Sequence, residues 1–113
     1  MKRGGSDMSE YVLVLCTTAH GEADKIARIV VEEKLAACVN IAPVKSCYVW
    51  EGEFKQDREE QMIIKTELGM VEPLSKRLLE LHSYKVPEIV VLPIQEGHQP
   101  YLQWISESVK RNY

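Results

Sequence analysis

The chain has 113 residues, 45% hydrophobic and 27% charged, enough for one domain around one modest core and too few for two. A net charge of −3 and a pI near 5.6 leave no global positive field for a phosphate backbone, which argues against a nucleic-acid partner. No apolar run nears the ~18 residues that span a bilayer, so no membrane partner is expected.

The polar start, Met1-Lys2-Arg3-Gly4-Gly5-Ser6-Asp7-Met8, lacks the apolar stretch of a secretory signal. Residues 1–9 read as a disordered tail and 10–113 as a single domain. Tyr11 to Thr17 is a nearly continuous apolar, β-branched run, the pattern of a strand covered on both faces. Gly21 breaks it, and Glu22 and Asp24 then place acids where a helix N-terminus favours them. Ala23, Ile26, Ala27 and Val30 recur at i, i+3, i+4 and i+7, with Lys25, Arg28 and Glu32 opposite: an amphipathic helix.

From Cys38 to Trp50 the period changes to two, with Val44, Ser46, Tyr48 and Trp50 on one face and Lys45, Cys47 and Val49 on the other. Pro43 cannot donate to a ladder, so it predicts a bulge, a bend or a sheet edge. Glu51-Gly52-Glu53 supplies a turn, and Phe54 to Thr66 returns as a strand with Met62 and Ile64 on one face. Both strands are about twice the usual length, so the hairpin tip is expected to project beyond the helices, leaving Tyr48, Trp50 and Phe54 in need of cover.

Pro73 suits the first turn of a second helix carrying Val71, Leu74, Leu78 and Leu81 at helical spacing. Glu88 to Ile94 is a fourth strand. Tyr101 to Val109 is a short terminal helix with Leu102, Ile105 and Val109 inward. The order βαββαβ with right-handed crossovers gives an α+β, ferredoxin-like sandwich of strand order 4-1-3-2, extended by a long hairpin and a C-terminal helix. The fourth strand is then an edge that is apolar on both faces and lacks protective lysines, which predicts association of subunits through sheet edges.

The odd count of three cysteines, Cys16, Cys38 and Cys47, at wide spacings suits reduced thiols of a cytoplasmic protein, the first two inside apolar runs and so expected to be buried. With His20, His82 and His98 they are the soft or borderline metal ligands. None forms a CxxC, HxH or HExxH, so a metal site would have to be assembled by folding or between subunits. Cys38 is the best soft ligand for Cu(I), although burial would make it inert. His82, Tyr84 and Glu88 share a loop between helix and strand, where functional groups concentrate. His82 and Glu88 could hold a metal there or exchange protons; the competing reading has His82 steadying the helix end and Tyr84 packing on the core. The exposed aromatics read first as interface anchors and second as ligand platforms. Lys65 could meet an anionic ligand, against the simpler reading of a solvated lysine. No GxSxG elbow and no phosphate-cradling glycine loop occurs, so no enzyme is expected.

Several separated stretches in order carry a resemblance: Leu35-Ala36-Ala37-Cys38-Val39-Asn40-Ile41, Ser46-Cys47-Tyr48-Val49-Trp50-Glu51-Gly52, Ile64-Lys65-Thr66, Leu81-His82 with Tyr84, Val86-Pro87-Glu88-Ile89, and Tyr101-Leu102 with Trp104. Together they closely resemble the CutA divalent-cation-tolerance family over about Tyr11 to Val109. The resemblance implies a ferredoxin-like fold, a homotrimer built by strand pairing between subunits, an architecture similar to PII signalling proteins, a cytoplasmic home and an association with copper and other divalent cations. It places Trp50, Lys65, His82, Tyr84, Glu88, Tyr101 and Trp104 at or near clefts between subunits. Ser83 and Lys85 depart from the family's His-Pro-Tyr-Glu stretch, and the missing glutamate weakens the case for metal at that loop. The expectation is a trimer binding copper or another divalent metal near its subunit junctions through Cys38, His82 and Glu88. The alternative is a PII-like sensor taking a small metabolite or anion in a cleft formed by Trp50, Lys65, Tyr84, Tyr101 and Trp104.

Overall fold

In the computed structural model, which describes residues 10–109, the elements run β1 (Tyr11–Ala19), α1 (Ala23–Glu32), β2 (Cys38–Trp50), β3 (Glu53–Glu67), a 3-10 turn (Leu68–Met70), α2 (Val71–Leu81), β4 (Ile89–Pro93) and α3 (Gln99–Ser108). The four strands form one antiparallel sheet in the order β2-β3-β1-β4, the ferredoxin-like arrangement expected from the element order. The expected tail over 1–9 lies outside the described residues.

Register sorts the side chains onto two faces. Cys16 pairs with Met62 and Ile89, and Val14 with Ile64 and Val91, so these residues share the face that α1 and α2 cover. There Val12, Val14, Cys16, Met62 and Ile64 meet Ala23, Ile26, Ala27, Val30, Leu74 and Leu78 in one buried cluster. Each large side chain removed from water in this way contributes roughly 1.5–3 kcal/mol. Leu13 and Leu15 point to the opposite face and are only half-buried, so β1 is fully covered on one face rather than on both. At the base of that opposite face α3 supplies cover, packing Leu102, Ile105 and Val109 against Ala37 and Met70, and Ser106 Oγ donates to Glu67 Oε2 at 2.5 Å.

The helix starts use the sheet. The Ala23 amide donates to Glu60 Oε1 at 3.1 Å, so a β3 carboxylate satisfies an orphan N–H of α1, while Asp24 lies in the first turn. The β2–β3 turn needs two left-handed residues, and Glu51 (φ 52°) and Gly52 (φ 81°) provide them. That turn sets the ladder from Trp50↔Glu53 down to Cys38↔Lys65 without a slip. Pro43 pairs with Glu60 inside this ladder; it is tolerated because β2 is an edge strand. The tip runs past the helix layer and leaves Trp50 56% and Phe54 64% exposed. The other edge, β4, leaves Val90, Val91 and Leu92 exposed.

Candidate functional site

Where the hairpin leaves the helix layer, the segment from His82 to Glu88 folds over the face opposite α1 and α2. Between them lies a groove of about 760 Å³. Its floor comes from alternate residues of the long strands: Ser46, Tyr48 and Trp50 of β2, Asp57 and Glu59 of β3, and Thr17 of β1. Its wall is Tyr84, Lys85, Val86 and Glu88. The period of two selects these floor residues, because every second side chain of a strand meets the same face.

Two phenols are tied to two carboxylates across this groove. The Tyr84 hydroxyl donates to Glu59 Oε2 at 2.6 Å, and the Tyr48 hydroxyl makes a short bond to Asp57 Oδ2. Burial, then the Glu59 carboxylate that accepts its hydrogen bond, pushes the Tyr84 phenol well above its usual range. Tyr48 is raised as well, chiefly by its bond to Asp57. Both therefore stay protonated donors at neutral pH.

His82 anchors the wall. Its ring is buried, the Tyr84 amide donates to Nδ1 at 3.1 Å, and Nε2–H donates to the Thr17 carbonyl at 2.8 Å. With both ring nitrogens engaged, the imidazole offers no lone pair to a metal while these bonds stand. The ring also lies 4.9 Å from that of Tyr84. Of the two readings of this loop, the geometry favours an anchor over a ligand.

The other candidate residues gather elsewhere. Cys38 and Lys65 are cross-strand partners at the base of the hairpin, and the Cys38 thiol lies near enough to Tyr101 to raise its phenol, after burial as the larger cause. Tyr101 and Trp104 stack on α3 with centroids 5.6 Å apart. Along β3, Glu59 and Lys65 stand six residues apart, about 20 Å at the rise of an extended strand. Cys38, His82 and Glu88 thus do not meet within one subunit, and among the described residues no three His, Cys, Asp or Glu side chains converge on a metal position. Of the thiols only Cys16 is fully buried, its pKa pushed up to about 12 by burial and then by Glu88; Cys38 is half-buried and Cys47 exposed.

A chain with this sequence and this topology has counterparts among known proteins. Residues 12–108 match the family described as CutA1 divalent ion tolerance protein. The chain belongs to the CutA divalent-cation-tolerance family. It is 45% identical over 101 residues to the chloroplastic CutA of Arabidopsis thaliana, covering 88% of this chain and 56% of that one. It is 44% identical to the divalent-cation tolerance protein CutA of Thermus thermophilus, covering 88% and 97% respectively. The crystal structure of CutA1 from Oryza sativa superposes with a TM-score of 0.88 at 37% identity, over 95% of this chain and all of that one. This chain spans about half of the human CutA and nearly all of the bacterial one, so what the longer relatives do as whole proteins is not thereby its own. The CutA names describe tolerance of divalent ions and carry no enzymatic reaction.

Sequence reasoning chose Trp50, Tyr84 and Glu88, which line the groove together, but passed over Asp57 and Glu59. Those two sit in the charged stretch Asp57-Arg58-Glu59-Glu60, which resembles an ordinary solvated face. The usable signal was register: the two-residue turn at Glu51-Gly52 fixes which β3 residues share a face with Tyr48.

Proposed function

We propose that this CutA protein acts as a cytoplasmic homotrimer that confers tolerance of divalent cations, binding copper or another divalent ion at or near the junctions between subunits. The observation that carries this reading is the separation of the candidate ligands. One subunit offers carboxylates at the groove (Asp57, Glu59, Glu88) and a half-buried thiol with Lys65 and the Tyr101–Trp104 stack some 20 Å away, and only a second copy can bring the two sets together. The uncovered apolar residues of β4 and of the hairpin tip supply the means, since an exposed, unprotected edge is stable only when paired. Cys38 and Glu88, with Asp57 and Glu59, are the ligands in this reading, and His82 holds the loop that presents Glu88.

Two measurements test it. Light scattering of the native particle in dilute solution is expected to give three times the chain mass; a stable single-copy species would end the proposal. Calorimetry of the metal-free protein with Cu(II) and Zn(II) is expected to show saturable binding that weakens in Cys38→Ser and in Glu88→Gln. Absence of heat for every divalent ion would sink the metal assignment.

A second reading has a specific observation in its favour. The groove is the size of ordinary small-molecule sites, roughly 300–1,000 Å³, and three aromatic rings line it, which suits a PII-like sensor of a small organic ligand. Lys65, on the sheet face opposite α1 and α2 but at the far end, would serve an anion only outside this groove.

A further inference from the structure

The chemistry of the groove narrows what a small ligand there would be, and the argument rests on the second reading above. Three carboxylates line it, from Asp57, Glu59 and Glu88, against a single ammonium from Lys85. None of the three carboxylates is in an ion pair among the described residues, whereas Glu32, Glu33, Glu53 and Glu80 elsewhere pair with lysine or arginine. The charged groups that line the groove therefore sum to a net negative field, with Lys85 in no ion pair with any of the three carboxylates. The phenols of Tyr48 and Tyr84 already donate to Asp57 and Glu59, which fixes those carboxylates in place and leaves their remaining lone pairs as acceptors. The indole of Trp50, 56% exposed, adds an apolar π face.

A site with three carboxylates, one ammonium and exposed ring faces complements a ligand that is positive and attached to carbon. A bare divalent ion fits less well, because no three ligand side chains converge. An organic anion would meet three like charges.

We infer that this groove binds an organic amine, its ammonium group meeting the Glu59 carboxylate, with Asp57 and Glu88 adding to the negative field around it, and its carbon chain lying along Trp50 and Tyr48. Ammonium groups over aromatic rings and against carboxylates gain from both the ring quadrupole and charge-assisted hydrogen bonds.

The test uses the full-length chain in its native assembly, with Trp104→Phe as background so that Trp50 is the sole tryptophan. Three probes of equal chain length separate charge from shape: hexamethylenediamine, its diol counterpart, and adipate. The diamine is expected to change Trp50 fluorescence saturably, with the diol and adipate at least tenfold weaker. Glu59→Gln is expected to weaken the diamine about tenfold, the size of one charge-assisted hydrogen bond. Glu88→Gln, at an exposed position where folding is not at stake, should weaken it by a smaller factor. Equal binding of diol and diamine, or an unchanged affinity in both variants, would overturn the cation assignment. Adipate binding in place of the diamine would overturn it too while leaving a small-ligand site standing; no binding by any probe, with adenine nucleotides also inert, would remove the sensor reading itself.

Discussion

The two ends of β3 are built from the same strand by different means. At the helix-covered end, Met62, Ile64 and Thr66 are wholly buried, and the Thr66 hydroxyl donates to the Leu35 carbonyl at 2.8 Å. At the projecting end, Glu53 to Arg58 hold their place by the ladder to β2 and by the Tyr48–Asp57 bond, with no helix above them. The covered end derives its stability from apolar burial within one chain. The projecting end leaves Trp50 and Phe54 exposed, which in the proposed trimer a second chain covers, so on that proposal the fold should divide its mutational effects between stability and assembly.

The largest expected effect tests the covered end. Ile64→Ala removes a side chain with no exposed surface and should destabilise the chain by about 2–5 kcal/mol, through lost transfer energy and an unfilled cavity. Phe54→Ala at the tip, 64% exposed within the subunit, should change the unfolding free energy by no more than about 0.5 kcal/mol beyond any loss of assembly, as surface substitutions do. Denaturant titration of both variants, monitored by circular dichroism at low protein concentration, makes the comparison. A Phe54→Ala cost equal to that of Ile64→Ala would abolish the distinction.

The next effect is on assembly. Leu92→Glu places a charge on an exposed β4 edge facing away from α1 and α2. If the proposed trimer pairs through β4, light scattering should show its loss, with the far-ultraviolet circular dichroism of the chain retained. Persistence of the trimer would mean that β4 is not part of the junction.

Third in size is the anchor of the groove wall. His82→Phe keeps an aromatic ring, somewhat larger, but strands the Thr17 carbonyl and the Tyr84 amide, two groups that His82 satisfies from a buried position. Unmade hydrogen bonds of this kind cost about 1–3 kcal/mol. Thermal unfolding should shift accordingly, and amide exchange at Tyr84 should quicken. A variant as stable as the parent would return His82 to the pool of ligand candidates.

These contrasts also mark what could be read from the residues alone. The element order, the edge position of β4 and the projecting tip all followed from periodicity and from Pro43, Gly52 and Pro73, because local pattern determines them. The role of His82 did not follow. Its partner, the Thr17 carbonyl, is 65 residues away in sequence, and only the packing of α2's end against β1 reveals that both ring nitrogens are occupied. Cys38 looked buried within Ala36-Ala37-Cys38-Val39, yet its strand parity turns it toward Lys65 and Tyr101 on the less covered face, where it is half-exposed. Alternation predicts which residues share a face; it does not say which face a helix later covers.

The smallest effect is alkaline and belongs to the projecting half. The Tyr84 phenol has a higher pKa in the folded chain than its ordinary value near 10, first through burial and then through Glu59. A raised folded value means that the native state holds this proton more tightly than the unfolded chain does. The resulting stability is complete below pH 10 and is lost as pH climbs from there toward the folded value. Tyr48, raised through Asp57, has the same sign but is exposed and screened by solvent, so its share is the lesser. Tyr84→Phe should therefore lower Tm slightly at pH 8 and flatten its decline above pH 10, whereas Ile64→Ala should lower Tm by the same amount at both. A parallel alkaline decline in the parent and in Tyr84→Phe would show that the groove's phenol contributes nothing pH-dependent, and that the two halves of β3 differ in burial alone.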